Sequence, residues 1–484
     1  MDGTVRVIIL RIFNDRGGSL QSNGTKLQKG LKKRHMTMIA IAGVIGAGLF
    51  MGSGSVIHTA GPGAVLSYAL AGLIVILVMR MLGEMAAMNP TSGSFAHYAH
   101  EAIGPWAGFL IGWLYWFFWV VAIALEATAA AAIIQYWYDG IPLWLLSLVL
   151  TVALTLTNII SVKSFGEFEY WFSLIKVASI ILFLVLGAFI IFGIAPNFEP
   201  VGMRNLVHEG GFLPNGFGAV LMGVVIVIFS FMGTEIVAIA AGESAEPQEA
   251  VTRATNSITW RILIFYVGSI AVVVTLLPWH SSDILTSPYV AVLDHIGIPA
   301  AAQIMNVVVL TAVLSCLNSA LYATSRMLFS LAEKGEAPKR FLKLNKKGAP
   351  VQAILAGTFF SYIAVIMNYV SPDKVFMFLL NSCSAITLIL YLIIAVSQLR
   401  TRRRVEQEQP ELLTVKMWLY PYLTYFTIIA VSSLLIAMFL IDSMRSQIIF
   451  TCIVAGITMM MYVLTQRNKN KIPPRTSNIE ESID

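Results

Sequence analysis

From about residue 37 onward the apolar residues fall into blocks of about twenty, the length that crosses a bilayer as an α-helix. Twelve such segments are predicted, over residues 37–60, 63–88, 104–134, 143–162, 169–193, 217–240, 257–278, 300–330, 352–370, 373–398, 418–439 and 446–465. The connections reach at most about twenty residues, so no soluble domain fits between them. Two segments are interrupted by glycine. The first contains Ile41-Ala42-Gly43-Val44-Ile45-Gly46-Ala47-Gly48-Leu49-Phe50, and the sixth contains Phe229-Ser230-Phe231-Met232-Gly233-Thr234-Glu235. Backbone that leaves helical pairing at membrane depth must line a cavity or be buried in protein. Interrupted helices at matching places in two halves point to a transporter's substrate site.

Segments one to five and six to ten superpose as two sets of five, each opening with its interrupted segment. Because five is odd, the second set enters the membrane from the opposite side. The expected fold is therefore an all-α integral membrane protein with twelve transmembrane helices, a five-plus-five inverted repeat and broken helices one and six. Its parts are a tail over residues 1–36, repeats over 37–193 and 217–398, two extra helices over 418–465, and a tail over 466–484. The extra helices lack buried charge, which suits a peripheral or dimerising role; the oligomeric state is left open.

Composition agrees: 57% of the residues are hydrophobic and 12% charged, with mean hydropathy +0.77, far too apolar for a soluble chain of 484 residues. An even number of spans leaves both termini on one side. The opposite face carries only Arg204, Lys374 and Arg445. The terminal face carries Lys26, Lys29, Lys32, Lys33 and Arg34, then Lys334, Lys339, Arg340, Lys343, Lys346 and Lys347, then Arg400 and Arg402 to Arg404. The positive-inside rule places both ends in the cytoplasm. The net charge of +6 reflects this anchoring in the lipid bilayer and does not suggest nucleic-acid binding. Cys316, Cys383 and Cys452 all lie within spans, with neither disulfide nor metal spacing, and no cofactor motif is present. Residues 1–25 read as a tail: Val7-Ile8-Ile9-Leu10 is too short for a signal peptide.

Gly43, Gly46 and Gly48 lower the cost of leaving helical geometry. A helix opening near Ile45 to Gly48 presents unpaired N–H groups and the positive end of a dipole, which bind a carboxylate. The plain alternative is close helix packing through small residues. An opening at Ser230-Phe231-Met232-Gly233 presents carbonyl oxygens to an ammonium group or a cation. Together the two breaks are the negative of a zwitterion.

Glu235, directly after the second break, is costly inside a membrane; it carries a proton, braces the opened backbone, or faces a cationic part of the substrate. Glu126 in the third segment needs an interior partner. Lys176, about two turns into the fifth segment, either snorkels to the interface or holds its ammonium inside the bundle, where it replaces a metal cation and couples transport to protons. Arg80 and Glu84 are spaced to pair along one helix, and Arg326 is placed to snorkel inward. Ser315, Asn318 and Ser319 put polar groups on segment eight. The stretch Phe95-Ala96-His97-Tyr98-Ala99-His100-Glu101-Ala102 reads as a short interfacial helix, Gly242-Glu243-Ser244-Ala245-Glu246-Pro247 as an acidic cytoplasmic turn, and Pro196 to Asn215 as an external loop.

Several motifs, in order along nearly the whole chain, resemble the bacterial amino acid permeases of the amino acid–polyamine–organocation (APC) superfamily. They include Leu31-Lys32-Lys33-Arg34-His35-Met36, Ile45-Gly46-Ala47-Gly48-Leu49-Phe50, Gly83-Glu84-Met85, Pro90-Thr91-Ser92-Gly93-Ser94-Phe95, Phe231-Met232-Gly233-Thr234-Glu235, Ala241-Gly242-Glu243 and Asn318-Ser319. Gly112-Trp113-Leu114-Tyr115-Trp116 and Val162-Lys163-Ser164-Phe165-Gly166-Glu167-Phe168-Glu169-Tyr170-Trp171 are most similar to the γ-aminobutyrate permeases within that family. The resemblance implies alternating access in a bacterial cytoplasmic membrane. It implies that backbone at Ile45, Gly46, Ala47 and Gly48 holds the substrate carboxylate and that backbone at Phe229, Ser230 and Met232 holds the amine, beside Gly233, with Phe229 or Phe231 as a gate. Lys176 matches a lysine that proton-coupled relatives carry where sodium-coupled ones bind an ion.

The expected activity is uptake of a zwitterionic amino acid by proton symport, with γ-aminobutyrate first and a small or neutral α-amino acid second; exchange is the alternative coupling mode. A channel has no need of paired breaks with opposite dipole ends. An enzyme needs a converging His, Cys or carboxylate cluster, and the seven histidines are scattered.

Overall fold

The computed structural model describes residues 45–89, 94–160, 163–194, 202–208, 210–235, 247–285, 287–297, 300–345 and 348–471. Outside them fall the tail and the opening of segment one through Gly43, the turn at Pro90 to Gly93, the sixth segment beyond Glu235, most of the acidic turn with Glu243, and the chain beyond Lys471.

Among the described residues there is no strand, as lipid requires of a spanning chain that is not a closed barrel. Ten helices are long and apolar enough to cross a membrane, and Gly216–Phe231 is a shorter apolar helix. One of the ten, Gly48–Met88, is interrupted by the tight turn Gly61–Gly63, which separates α1 (Ser53–Ala60) from α2 (Ala64–Met88). Then follow the short α3 (Ser94–Ala102), α4 (Pro105–Gln135), α5 (Leu143–Ile160) and α6 (Lys163–Ile191). After them come α7 (Gly216–Ile228), α8 (Pro247–Arg261), α9 (Ser269–Leu276), α10 (Pro288–Ile296) and α11 (Ala301–Glu333). The chain closes with α12 (Val351–Val370), α13 (Pro372–Glu408), α14 (Tyr422–Leu440) and α15 (Asp442–Lys471).

Burial sorts these helices into an inner and an outer set. Helix α4 is apolar all round and buried along nearly its whole length, packed against α11, α13 and α12. Helices α14 and α15 expose most of their apolar side chains, including Ile429, Ile436, Ile453 and Met460, as lipid-facing helices do. That agrees with the peripheral place expected for segments eleven and twelve.

Several local expectations change. Helix α13 runs to Glu408, ten residues past the apolar block, because its polar extension is anchored by charge. Arg402 Nη1 donates to the fully buried Glu84 at 2.6 Å, and Gln398 Nε2 donates to the same carboxylate at 2.8 Å. The backbone N–H of Met417 adds a third bond to it. Glu84 thus pairs with Arg402 rather than with Arg80, which instead donates to the Lys416 carbonyl at 3.0 Å and lies over Trp418. The guanidinium of Arg326 stacks on the ring of Tyr322. The connection between segments seven and eight contains α10, whose Tyr289, Val292 and Leu293 are buried.

Candidate functional site

The first break begins where the described chain does. Ile45 and Gly46 are non-helical, and the Gly46 carbonyl accepts from both Leu49 and Phe50 at 3.2 Å as the chain enters a π-turn at Gly48–Gly52. The N–H of Ala47, next to that non-helical pair, turns to a side chain of another helix. It donates to the Glu126 carboxylate, 3.2 Å from Oε2 and 3.3 Å from Oε1. Glu126 is buried in the middle of α4, so the interior partner it requires is the opened backbone of the first segment.

Close approach explains the glycines. A Cβ on Gly46 would lie 2.6 Å from Cys316 Sγ and 2.8 Å from Glu126 Oε1. One on Gly48 would lie 2.7 Å from Ser230 Oγ and 2.9 Å from Ser230 Cα, which is backbone and cannot swing away. The two breaks are therefore packed against one another, and a side chain on the first would separate them.

At the second break α7 tightens into a 3-10 turn at Phe229–Phe231, Met232 is extended (φ −66°, ψ 141°), and Gly233 has φ 102°. That last angle is open to glycine and strained for any residue with a Cβ. A single carboxylate closes the gap. Glu235 accepts from the N–H of Gly233 at 2.8 Å on one oxygen and from the hydroxyl of Tyr115 at 3.0 Å on the other, while Thr234 Oγ1 donates to the Phe231 carbonyl at 2.9 Å. Of the three roles open to Glu235, bracing the backbone is the one these contacts perform.

Between the breaks lies a cavity of about 30 Å³ lined by Gly48, Phe118, Trp119, Glu126, Phe229 and Met232. A water needs roughly 10–15 Å³ on this measure, so the space holds water and no amino acid. Phe229 forms part of its wall, 6.0 Å from the ring of Phe118. Phe231 faces away from it and packs between Tyr68 and Tyr266. A far larger cavity of about 520 Å³, walled by α4, α12 and α15, is almost wholly apolar and touches neither break.

Lys176 is fully buried and does not snorkel. Its Nζ lies 3.7 Å from Cys316 Sγ, and that thiol donates to the Ile45 carbonyl at 3.3 Å. The lysine therefore reaches the first break through α11, within electrostatic reach of Glu126. Helix α6 buries an acid as well as Lys176, one the sequence reading does not single out. Glu169 Oε1 accepts from Ser315 Oγ at 2.7 Å, next along α11 to Cys316. The available signal was a carboxylate seven residues before Lys176, two turns along one helix face.

Outside the spanning segments, the hydrogen bond with His97 holds the Glu101 carboxyl below the usual carboxylate range.

Discontinuous helices meeting inside an all-helical membrane bundle define a secondary carrier. The amino acid permease family profile matches residues 35–474. Over 443 residues the chain is 68% identical to the γ-aminobutyric acid permease of Bacillus subtilis (strain 168), covering 92% of this chain and 94% of that one. Over 431 residues it is 50% identical to the γ-aminobutyric acid permease of Escherichia coli K12, covering 89% and 92%. A solved structure of a mutant Eremococcus coleocola manganese transporter shares the fold, with TM-score 0.56 at 12% identity, covering 93% of this chain and 99% of that one. The chain belongs to the amino acid permease family and is a multi-pass membrane transporter, not an enzyme.

Proposed function

We propose that this protein imports γ-aminobutyrate across the bacterial cytoplasmic membrane together with a proton, by alternating access. The observation that carries the reading is the Ala47–Glu126 contact: a backbone donor at the first break already holds a carboxylate. A substrate carboxylate is a ready replacement, and the carbonyl oxygens around Phe229, Ser230 and Met232 are acceptors for its amine. Gly46, Gly48 and Gly233 allow the required backbone shapes, and Ile45 supplies the carbonyl tied to Cys316. Phe229 is the gate over the site.

Ionised Glu126 competes with the substrate for Ala47, whereas protonated Glu126 is a weaker acceptor and yields. Proton and amino acid then load together, which is symport. Lys176 supplies a fixed ammonium where a sodium-coupled carrier needs a metal ion, and Glu235 keeps the second break open. The cargo in this reading is an amino acid with a proton.

The reading includes twelve crossings with both termini cytoplasmic. Ten helices, the short apolar helix at the second break and the turn at Gly61–Gly63 support that count. The units are an inverted pair of five-helix repeats over 37–193 and 217–398, with 418–465 outside the repeat and tails over 1–36 and 466–484. The B. subtilis relative's name supports γ-aminobutyrate as the substrate.

Uptake of labelled γ-aminobutyrate into proteoliposomes should rise with an inward proton gradient and be indifferent to sodium. Equal uptake with the gradient collapsed overturns symport. A competition panel of α-, β- and γ-amino acids tests the substrate, and preference for a neutral α-amino acid replaces γ-aminobutyrate in this reading. Lys176→Ala should remove the pH dependence of uptake; an unchanged profile returns Lys176 to a packing role.

A further inference from the structure

Helix α6 carries a second fully buried ionisable group that the transport cycle described above does not use. Glu169 is 0% exposed, and one of its carboxylate oxygens has no hydrogen-bond partner among the described residues. An idle carboxylate oxygen in a dry interior is costly. A merely structural contact to Ser315 needs only a hydroxyl or an amide in its place.

Its position gives it a use. Glu169 and Lys176 are seven residues apart, so they share one face of α6 at about 10 Å along the axis. Side chains on a helix lean toward its N-terminus, so the stem of Lys176 leans toward Glu169. Both contact neighbouring residues of α11: Glu169 meets Ser315 and Lys176 meets Cys316. The charged and titratable groups in electrostatic reach of Glu169 are Lys176 on its own helix and Cys316 on α11, with the hydroxyls of Ser315 and Ser319 beside it. Beyond Lys176 lies Glu126, bonded to Ala47 at the first break. Three ionisable side chains thus descend from the substrate side: Glu126, Lys176, Glu169. In the proposed orientation Glu169 is the last, about 9 Å along the helix from its cytoplasmic start at Lys163.

We propose that Glu169 is the inward proton relay of this carrier, receiving the coupled proton from the Lys176 ammonium and passing it to cytoplasmic water. In the first step a Lys176 N–H bond breaks and a Glu169 O–H bond forms, leaving neutral amine and neutral acid. In the second the acid gives its proton to water. Lys176 regains a proton from Glu126 when the substrate has left. The proposal rests on the proton-symport reading, and its test separates the two.

Wild type, Glu169→Gln and Ser315→Ala are compared in proteoliposomes by gradient-driven accumulation of labelled γ-aminobutyrate and by counterflow against internal unlabelled substrate. Counterflow needs no net proton release. Glutamine keeps an acceptor for Ser315 but cannot carry the proton, so Glu169→Gln should lose accumulation by about tenfold or more while counterflow holds. Ser315→Ala removes the brace and keeps the relay, so both activities should persist. Undiminished accumulation in Glu169→Gln overturns the relay. Parallel loss of accumulation and counterflow in that variant also overturns it and makes Glu169 a brace. Wild-type accumulation that ignores the gradient overturns symport itself, and the relay with it.

Discussion

The two helix breaks are closed by the same kind of group in opposite ways. At the second, the carboxylate comes from two residues downstream: Glu235 binds the N–H of Gly233 and is held in turn by Tyr115. At the first, it comes from 79 positions away in sequence: Glu126 of α4 binds the N–H of Ala47. A local cap moves with the backbone it serves. A cap lent by another helix can be withdrawn when the helices shift or when a competing carboxylate arrives. Tyr115 and Glu126 are eleven residues apart, three turns along one face of α4, so one rigid helix addresses both breaks. On the proposed reading, the second break is the fixed wall of the site and the first its responsive one.

The comparison can be broken most severely at the contact between the breaks. Gly48→Leu places a side chain against the backbone of Ser230, and uptake should fall by about a hundredfold or more while the protein still inserts. Gly46→Leu, against Cys316 and Glu126, should behave likewise. Near-normal uptake by Gly48→Leu would mean that the breaks need not touch, and by Gly46→Leu that the first break need not lie against Glu126.

Glu126→Gln sharpens the contrast, since it removes a competing charge while keeping a side-chain oxygen near Ala47. Substrate affinity in the wild type should weaken as pH rises and Glu126 ionises. In the variant it should be flat with pH, differing from wild type by about tenfold at high pH. A retained pH dependence would move the competition elsewhere.

Tyr115→Phe deletes one bond to the fixed carboxylate of the second break. It should destabilise the protein by about 2 kcal/mol in thermal unfolding in detergent and leave the pH dependence of affinity intact. A change in pH dependence would make the second break responsive too.

The smallest effect is expected at Glu101, an exposed acid distant from both breaks. Its folded-state carboxyl is depressed by the His97 hydrogen bond, so its contribution to stability is present above the unfolded value of about 4.3 and is lost as pH falls below it. Glu101→Gln should change uptake at neutral pH by less than about twofold.

What was legible in the sequence follows the range of the interactions. Apolar blocks and glycine interruptions are local, so the described spans fall on the expected blocks, with α8 and α13 extending about ten residues beyond them. The contact of Glu235 with the opened backbone is legible because the carboxylate directly follows the break. The ties of Glu84 to Arg402 and of Glu126 to Ala47 were hidden, because α-helices of one bundle bring together residues that no periodicity connects. Hydropathy also stops where lipid stops, whereas α13 continues as a charged helix to Glu408. Glu169 lies near a helix start, where a buried carboxylate and an interfacial one look alike apart from the seven-residue spacing to Lys176.

The 30 Å³ hollow between the breaks has an electrical consequence. Among the described residues, Phe229 and Trp119 wall a space with room for water and nothing larger. On the proposed reading, a cargo molecule enters only by prising the two helices apart, so the membrane voltage does its work on loaded carriers alone.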